Sequence, residues 1–120
     1  MNELAKQIHE NNKAKGFYEG KKNIGEMLAL IHSEVSEALE ADRKDKHCLV
    51  DIKDMVHIVD DSFFESVFKD EVKDTFEDEI ADTMIRCLDM SAYLGIDIES
   101  HITAKVRFNK MRPNKHGKIY

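Results

Sequence analysis

The 120-residue chain has no tryptophan, one proline, five glycines and two cysteines. So few prolines and glycines leave little material for the tight turns of a small β sandwich or barrel, so we expect an all-α protein. Cys48 and Cys87 lack metal-ligand spacing and are expected to be reduced thiols. The sequence contains no uninterrupted apolar run of ~18 residues, which argues against a membrane span.

The length suits one domain, since domains commonly have ~100–150 residues. No internal repeat, low-complexity run or long linker divides the sequence. We therefore predict a single domain over residues 1–120. The first residues contain no apolar segment of the signal-peptide kind, so a cytoplasmic location is expected.

The net charge of −6 is unevenly distributed along the chain. No acid follows Glu99, whereas the last 16 residues carry six bases. The acidic body argues against nucleic-acid binding, which requires a broad basic surface. It is compatible with a metal ion that bridges acidic side chains to a small phosphate ligand held by the basic tail.

Capping and stop signals predict four main helical stretches. The first covers residues 2–14 and stops at Gly16, and the second follows an Asn23 cap to about Asp42. Residues 43–61 have no clear pattern. Ser62 is expected to cap a stretch that reaches Leu94 with a break near Lys73, and Asp97 to cap a helix that ends at Pro113.

Two long and two shorter helices indicate a four-helix bundle. The predicted buried faces follow the apolar spacing of two helices: Ile24, Met27, Leu28, Ile31, Val35, Ala38 and Leu39 on the second, and Ile80, Met84, Cys87 and Leu88 later. Such a bundle has a thin core, so we expect assembly into a homodimer or homotetramer.

Two acid pairs at a spacing of three residues are candidate metal ligands: Glu34 with Glu37, and Glu79 with Asp82. Residues three apart share one flank of a helix, so two such pairs on facing helices would surround one cavity. Their oxygen donors favour Mg²⁺ or Mn²⁺ over zinc. The alternative is a solvated acidic face, and Glu79 and Asp82 lie away from the predicted apolar stripe, on the flank of Arg86.

Lys105, Asn109 and Arg112 continue the line of Ile98 and Ile102, so the inward face of the last helix becomes cationic at its end. Buried cations need anionic partners, and phosphate suits a lysine–arginine pair. The alternatives are pairing with the acidic body or a frayed basic tail. Similarly, His9 and Tyr18 either frame a nucleobase or simply pack in the protein.

In this order and spacing, the motifs resemble those of the MazG-like all-α nucleoside triphosphate pyrophosphatases. They are Glu34-Val35-Ser36-Glu37, Glu79-Ile80-Ala81-Asp82, and Lys105 followed by the run from Asn109 to Lys118 that includes Arg112-Pro113 and His116-Gly117-Lys118. The similarity covers most of the chain and includes Gly16-Phe17-Tyr18. Ser33 stands where the family usually has the first of two adjacent acids.

The resemblance implies Mg²⁺-dependent cleavage of a (deoxy)nucleoside triphosphate to the monophosphate and pyrophosphate. It implies metal ligation by Glu34, Glu37, Glu79 and Asp82. Glu37 and Glu79 are the candidates for the catalytic base that activates the attacking water. The residues implied to bind substrate are Lys105, Asn109, Lys110, Arg112 and Lys115 at the phosphates, and His9, Phe17 and Tyr18 near the base. The alternative function is a non-catalytic helical module that binds a nucleotide or another protein.

Overall fold

The computed structural model describes residues 1–113, which form six helices and no strand. The helices are α1 (Asn2–Ala14), α2 (Ile24–Arg43), α3 (Ile52–Met55), α4 (Asp61–Glu71), α5 (Phe76–Tyr93) and α6 (Ile98–Met111). The all-α prediction is confirmed. No helix within these residues is both long enough and apolar enough to cross a bilayer.

Side-chain caps begin several of the helices. The Asn23 side chain accepts the Glu26 N–H at the start of α2, and Asp97 accepts the Ser100 N–H at the start of α6, as predicted. The cap of α4 was predicted wrongly. Asp60, rather than Ser62, accepts a backbone N–H, that of Phe63 at 3.1 Å, because a carboxylate stands three residues ahead of an unsatisfied donor.

The predicted break near Lys73 is confirmed by the turn between α4 and α5. Asp74 has a φ of +66° there, a conformation that aspartate tolerates better than most residues. Thr75 then accepts the Asp78 N–H at 3.3 Å and so satisfies a free donor at the start of α5. Gly95 has a φ of +68° just after α5, which confirms the predicted glycine stop.

The chain divides into two compact units. The first contains Met1–Lys21 and the chain from Leu88 onward, and the second contains Lys22–Cys87. Helix α5 contributes its early turns to the second unit and its last turns to the first. The prediction of a single domain over residues 1–120 stays a prediction.

In the first unit, the starts of α1 and α6 are joined by polar contacts. The terminal ammonium group lies 2.7 Å from Glu99 Oε1, and the Asn2 amide donates to Asp97 at 2.7 Å. The inner face of α1 contains buried Ala5 with half-buried His9 and Asn12, whereas Leu4 is exposed.

In the second unit, the connection between α2 and α4, residues 44–60, is mostly irregular and contains the four-residue helix α3. The Lys46 carbonyl accepts the Phe76 N–H at 2.8 Å, and the Cys48 N–H donates to Glu77 Oε2 at 2.8 Å. His47 lies 3.1 Å from Glu77 Oε1 and 3.3 Å from Asp42 Oδ1. These contacts attach the segment to the start of α5.

The buried face of α2 matches the predicted one only in part, at buried Ala38 and half-buried Met27 and Ile31. Glu34, Ala38 and Ala41 are buried, whereas Val35 is 51% and Leu39 52% exposed. Most of the predicted stripe of α5 is likewise exposed, with Leu88 as its buried member. Apolar spacing identifies the apolar face of a helix. It does not determine whether other residues of the same chain bury that face.

Candidate metal centre

Three acidic side chains from two helices meet in the interior of the second unit. Glu34 comes from α2, and Glu79 and Asp82 come from α5. One carboxylate oxygen from each lies within 4.8 Å of the others. Glu34 is 7% and Glu79 is 6% exposed, and Asp82 is half-buried. We call this group the carboxylate cluster.

The cluster lies on the flank of α5 that apolar spacing does not favour. The acid flank, which also includes Arg86, faces the interior, and the apolar residues Ile80 and Met84 are exposed. On α2, Ala38 and Ala41 continue the buried line of Glu34. Because alanine side chains are small, this face of α2 contributes little apolar surface beside the buried Glu34.

Arg86 compensates part of the negative charge of the cluster. Its Nε donates to Glu34 Oε1 at 2.7 Å. Burial by itself raises the pKa of Glu34, but the hydrogen bonds with Arg86 and Glu37 and the charge of Arg86 outweigh it. The pKa of Glu34 therefore lies below its ordinary value, and this side chain is a carboxylate at neutral pH.

Glu79 has the opposite electrostatic surroundings. Its Oε2 atom is buried without a hydrogen-bond donor, which is costly for a charged oxygen. Burial first, and then contact with Glu37 and the charges of Glu37 and Asp82, raise the pKa of Glu79 to about 7. Burial and the charges of Asp78 and Glu34 raise the pKa of Asp82 as well. The cluster thus holds more negative charge than Arg86 neutralises.

Glu37 is the solvent-exposed neighbour of the cluster. It lies within hydrogen-bonding reach of both Glu34 and Glu79. A contact between two carboxyl groups is a hydrogen bond only when one of them carries a proton. In the absence of a proton, a cation is the natural means to hold such groups together. The four predicted ligands are therefore brought into one region of the second unit.

A second acidic group adjoins the first through Glu79. Carboxylate oxygens of Asp74, Asp78 and Glu79 also lie within 4.8 Å of one another. Asp78 accepts the Asp74 N–H at 3.0 Å, and Lys73 Nζ lies 3.1 Å from Asp74 Oδ2. Asp74 is exposed and Asp78 is half-buried, so solvent reaches this second group more easily than it reaches Glu79.

His9 and Tyr18, the candidate base contacts, lie together in the first unit around Asp89. His9 Nδ1 is 2.9 Å from Asp89 Oδ1, and the Tyr18 hydroxyl and the Asn12 amide donate to Asp89 Oδ2 at 2.7 and 3.0 Å. Burial and the contact with Asp89 raise the pKa of Tyr18, so its hydroxyl stays protonated. Phe17 is 57% exposed.

Asp89 and Asn12 were not identified from the sequence. A half-buried carboxylate with three side-chain partners has no local sequence signature, because its partners come from residues 71 to 80 positions away. The useful signal would have been the spacing of His9 and Asn12 with Ala5 on one face of α1. We call these four side chains, His9, Asn12, Tyr18 and Asp89, the Asp89 network.

The candidate phosphate residues of the basic tail lie on α6 and at its end, in the first unit. Lys105 Nζ and the Arg112 guanidinium are 5.3 and 5.6 Å from the centre of the Phe108 ring, so both cations approach one side chain. Lys105, Asn109 and Lys110 are exposed and Arg112 is half-buried, so the described residues of this chain do not cover the predicted cationic face, and its binding of phosphate stays a prediction. Lys115 lies outside the described residues.

Comparisons of the chain with protein-family models, with curated proteins and with solved structures give no match. The similarity to the MazG-like pyrophosphatases consequently remains a prediction from the motifs. The site that the structure offers for testing that prediction is the carboxylate cluster, with its excess of buried negative charge.

Proposed function

We propose that this chain is a Mg²⁺-dependent nucleoside triphosphate pyrophosphohydrolase with a MazG-type bundle, acting in the cytoplasm. It would cleave a (deoxy)nucleoside triphosphate between the α and β phosphates. The observation that carries the proposal is the buried Glu79 oxygen without a donor, inside a cluster of carboxylates from the two predicted motifs. A cation would satisfy that oxygen and compensate the cluster.

The donor set fits Mg²⁺, with Mn²⁺ as the nearest substitute. All the candidate ligands are carboxylate oxygens, and no histidine or cysteine belongs to either acidic group within residues 1–113. Hard oxygen donors favour these ions over zinc. When bound, the ion supplies neutralisation of phosphate charge, which phosphoryl transfer mainly requires of a protein.

The acidic side chains themselves would position the site, accept a proton and ligate the ion. Glu34 keeps one oxygen on Arg86, which holds the α2 side of the site in position. Glu37 is exposed and touches the cluster, so it is the better placed of the two candidate bases to orient a water and accept its proton. Glu79 is buried, and we assign it to ligation.

Phosphate binding by α6 is the second part of the proposal. Five residues would hold the phosphates, as the resemblance implies: Lys105, Asn109, Lys110, Arg112 and Lys115. We expect Arg112→Ala to raise KM for the nucleotide about tenfold, because a charge-assisted hydrogen bond contributes roughly 1.5–3 kcal/mol. Steady-state kinetics check this prediction, and an unchanged KM would remove Arg112 from the phosphate site.

Self-association into a homodimer or homotetramer is the third part. The exposed apolar stripe on α2 contains four large side chains: Ile24, Leu28, Val35 and Leu39. Large contiguous apolar patches on a single chain usually mark an interface. A second copy would cover this stripe with the same stripe in a two-fold arrangement.

A panel of nucleoside triphosphates incubated with Mg²⁺ tests the function. Pyrophosphate release and the thermal midpoint Tm are measured on the same samples. Turnover supports the enzyme, whereas a Tm increase without turnover indicates a non-catalytic nucleotide-binding protein. The exposed apolar stripe favours a second candidate, a protein-interaction module. The absence of both turnover and a Tm increase would support that candidate.

A further inference from the structure

A cavity of about 600 Å³ lies between α4 and the first half of α5, within the second unit. We call it the α4 cavity. Its volume falls within the range of ~300–1,000 Å³ typical of small-ligand sites. Part of its lining is aromatic, since Phe64 and Phe68 contribute side chains to it. Their ring centroids are 6.0 Å apart and the rings are inclined by 34°.

The α4 cavity adjoins the carboxylate cluster through Asp82, which takes part in the cluster and also lines the cavity. Asp74 and Asp78 of the second acidic group line it as well. A ligand held by a cation at the cluster would therefore have the aromatic lining as its nearest apolar surface in this cavity. A nucleotide has this combination of parts, a phosphate chain at one end and a flat base at the other.

The charges around the cavity determine the conditions for binding. Five carboxylates and two lysines line it: Asp61, Glu65, Asp74, Asp78 and Asp82, with Lys69 and Lys73. A free triphosphate would be repelled, so binding requires a divalent cation at the cluster. The lysines form exposed ion pairs, Lys69 with Glu65 at 2.6 Å and Lys73 with Asp74 at 3.1 Å. Exposed pairs contribute little and can exchange for phosphate contacts.

Two of the three residues that the resemblance implies near the base, His9 and Tyr18, already contact other side chains, whereas Phe17 is exposed. The Tyr18 ring packs against two neighbouring rings, with His9 at 4.5 Å and Tyr93 at 4.8 Å between centroids. His9 Nδ1 and the Tyr18 hydroxyl contact Asp89. A base at this location would have to displace these contacts, whereas the α4 cavity is open.

We propose that the α4 cavity is the base-binding subsite, in which the base of a nucleoside triphosphate packs on Phe64 and Phe68. This inference rests on the proposed function and adds the location of the base. Stacking on phenylalanine does not distinguish one base from another, so the subsite would accept purines and pyrimidines alike. It also gives a function to α4, which lies between the two acid motifs in the sequence.

Photo-crosslinking tests the location of the base directly. The full chain is illuminated with 5-iodo-dUTP or 8-azido-dATP in the presence of Mg²⁺, and the modified peptide is identified by mass spectrometry. We expect modification of the peptide that contains Phe64 and Phe68, and its loss when Mg²⁺ is omitted. Modification at Phe17 and Tyr18, or no modification with either probe, would overturn the proposal.

Kinetics separate the failure of the subsite from the failure of the function. Phe68→Ala should raise KM for nucleotides about tenfold, since stacking of one base is worth ~1–3 kcal/mol. Inhibition by tripolyphosphate, which lacks a base, should be unchanged. Phe63→Ala is the matched control, because Phe63 is 58% exposed and is not among the side chains that line the cavity.

Turnover in the wild type with no change of KM in Phe68→Ala would refute the subsite and leave the function standing. Absence of turnover in the wild type would refute the function, and crosslinking would still decide the subsite. A change in molecular mass of Phe68→Ala by light scattering, with unchanged KM, would show that a second copy occupies the cavity instead and would overturn the proposal.

Discussion

The carboxylate cluster and the Asp89 network are two interior acid sites with opposite hydrogen-bond balance. Asp89 has three side-chain partners, and its two oxygens are both in contact with them. Glu79 has a buried oxygen with no donor and several carboxylates around it. Burial of an acid therefore does not by itself indicate function, whereas a deficit of donors and positive charge indicates a place for a cation.

The largest expected effect is the loss of activity on neutralising the cluster. Glu79→Gln or Asp82→Asn should reduce pyrophosphate release at least about 100-fold, since even outer partners of a metal site are worth ~10–100-fold. Both variants should also lose the increase in Tm caused by Mg²⁺. Glu40→Gln, an exposed acid on α2, is the control. Near-normal turnover in both variants would exclude the proposed metal site.

The next effect concerns stability rather than activity. Asp89→Ala leaves the Tyr18, Asn12 and His9 groups without their shared partner, so the free energy of unfolding should fall by about 2–4 kcal/mol. Urea titration measures the loss. The Mg²⁺-induced increase in Tm should persist in this variant. Its disappearance would contradict the distinction between a structural network and a cation site.

The pH dependence of the metal-free protein provides a third comparison. The pKa of Glu79 is about 7 when folded and 4.5 by its ordinary value, so folding favours the protonated form. Its contribution to stability is fully present below about pH 4.5 and is lost as the pH rises through 7. At about 1.4 kcal/mol per pKa unit, the loss reaches up to about 3 kcal/mol.

Urea titrations from pH 5 to pH 8 in EDTA measure this decline, and Mg²⁺ should reduce it. Glu79→Gln has no carboxylate to ionise at this position, so its stability should vary less over the same range. An equal decline in the wild type and in Glu79→Gln would assign the pH dependence to other groups.

The smallest expected effect follows from removing the positively charged Arg86 side chain beside the cluster. Arg86→Gln withdraws the donor to Glu34, and the metal-free protein at pH 8 should lose about 1–3 kcal/mol of stability. Mg²⁺ should then raise Tm by more than it does in the wild type, because more charge is left for it to compensate. A smaller Mg²⁺ effect would instead place Arg86 in direct support of the bound ion.

Several elements of this fold were predictable because their causes are local. The Asn23 and Asp97 caps, the glycine stop at Gly95 and the break near Lys73 each depend on residues within one or two turns. The acid pairs were predictable for the same reason, since a spacing of three residues places two side chains on one helix flank.

The orientation of the helices was not predictable from the same patterns. Spacing alone directs Val35, Ala38 and Leu39 inward, yet the chain buries Ala38 with Glu34 and leaves Val35 and Leu39 exposed. The Asp89 network was likewise hidden, because its members are brought together only when α1 and the end of α5 meet within the first unit.

The scarcity of glycine and proline, the caps and the paired acids determined an all-helical chain with carboxylates at helical spacing. Only the tertiary structure decided that Glu34 and Glu79 are buried, that Glu37 stays exposed beside them, and that Glu79 lacks a donor. The physical reason is that local sequence sets which side chains share a helix face, whereas the burial and hydrogen-bond balance of that face depend on the residues packed against it.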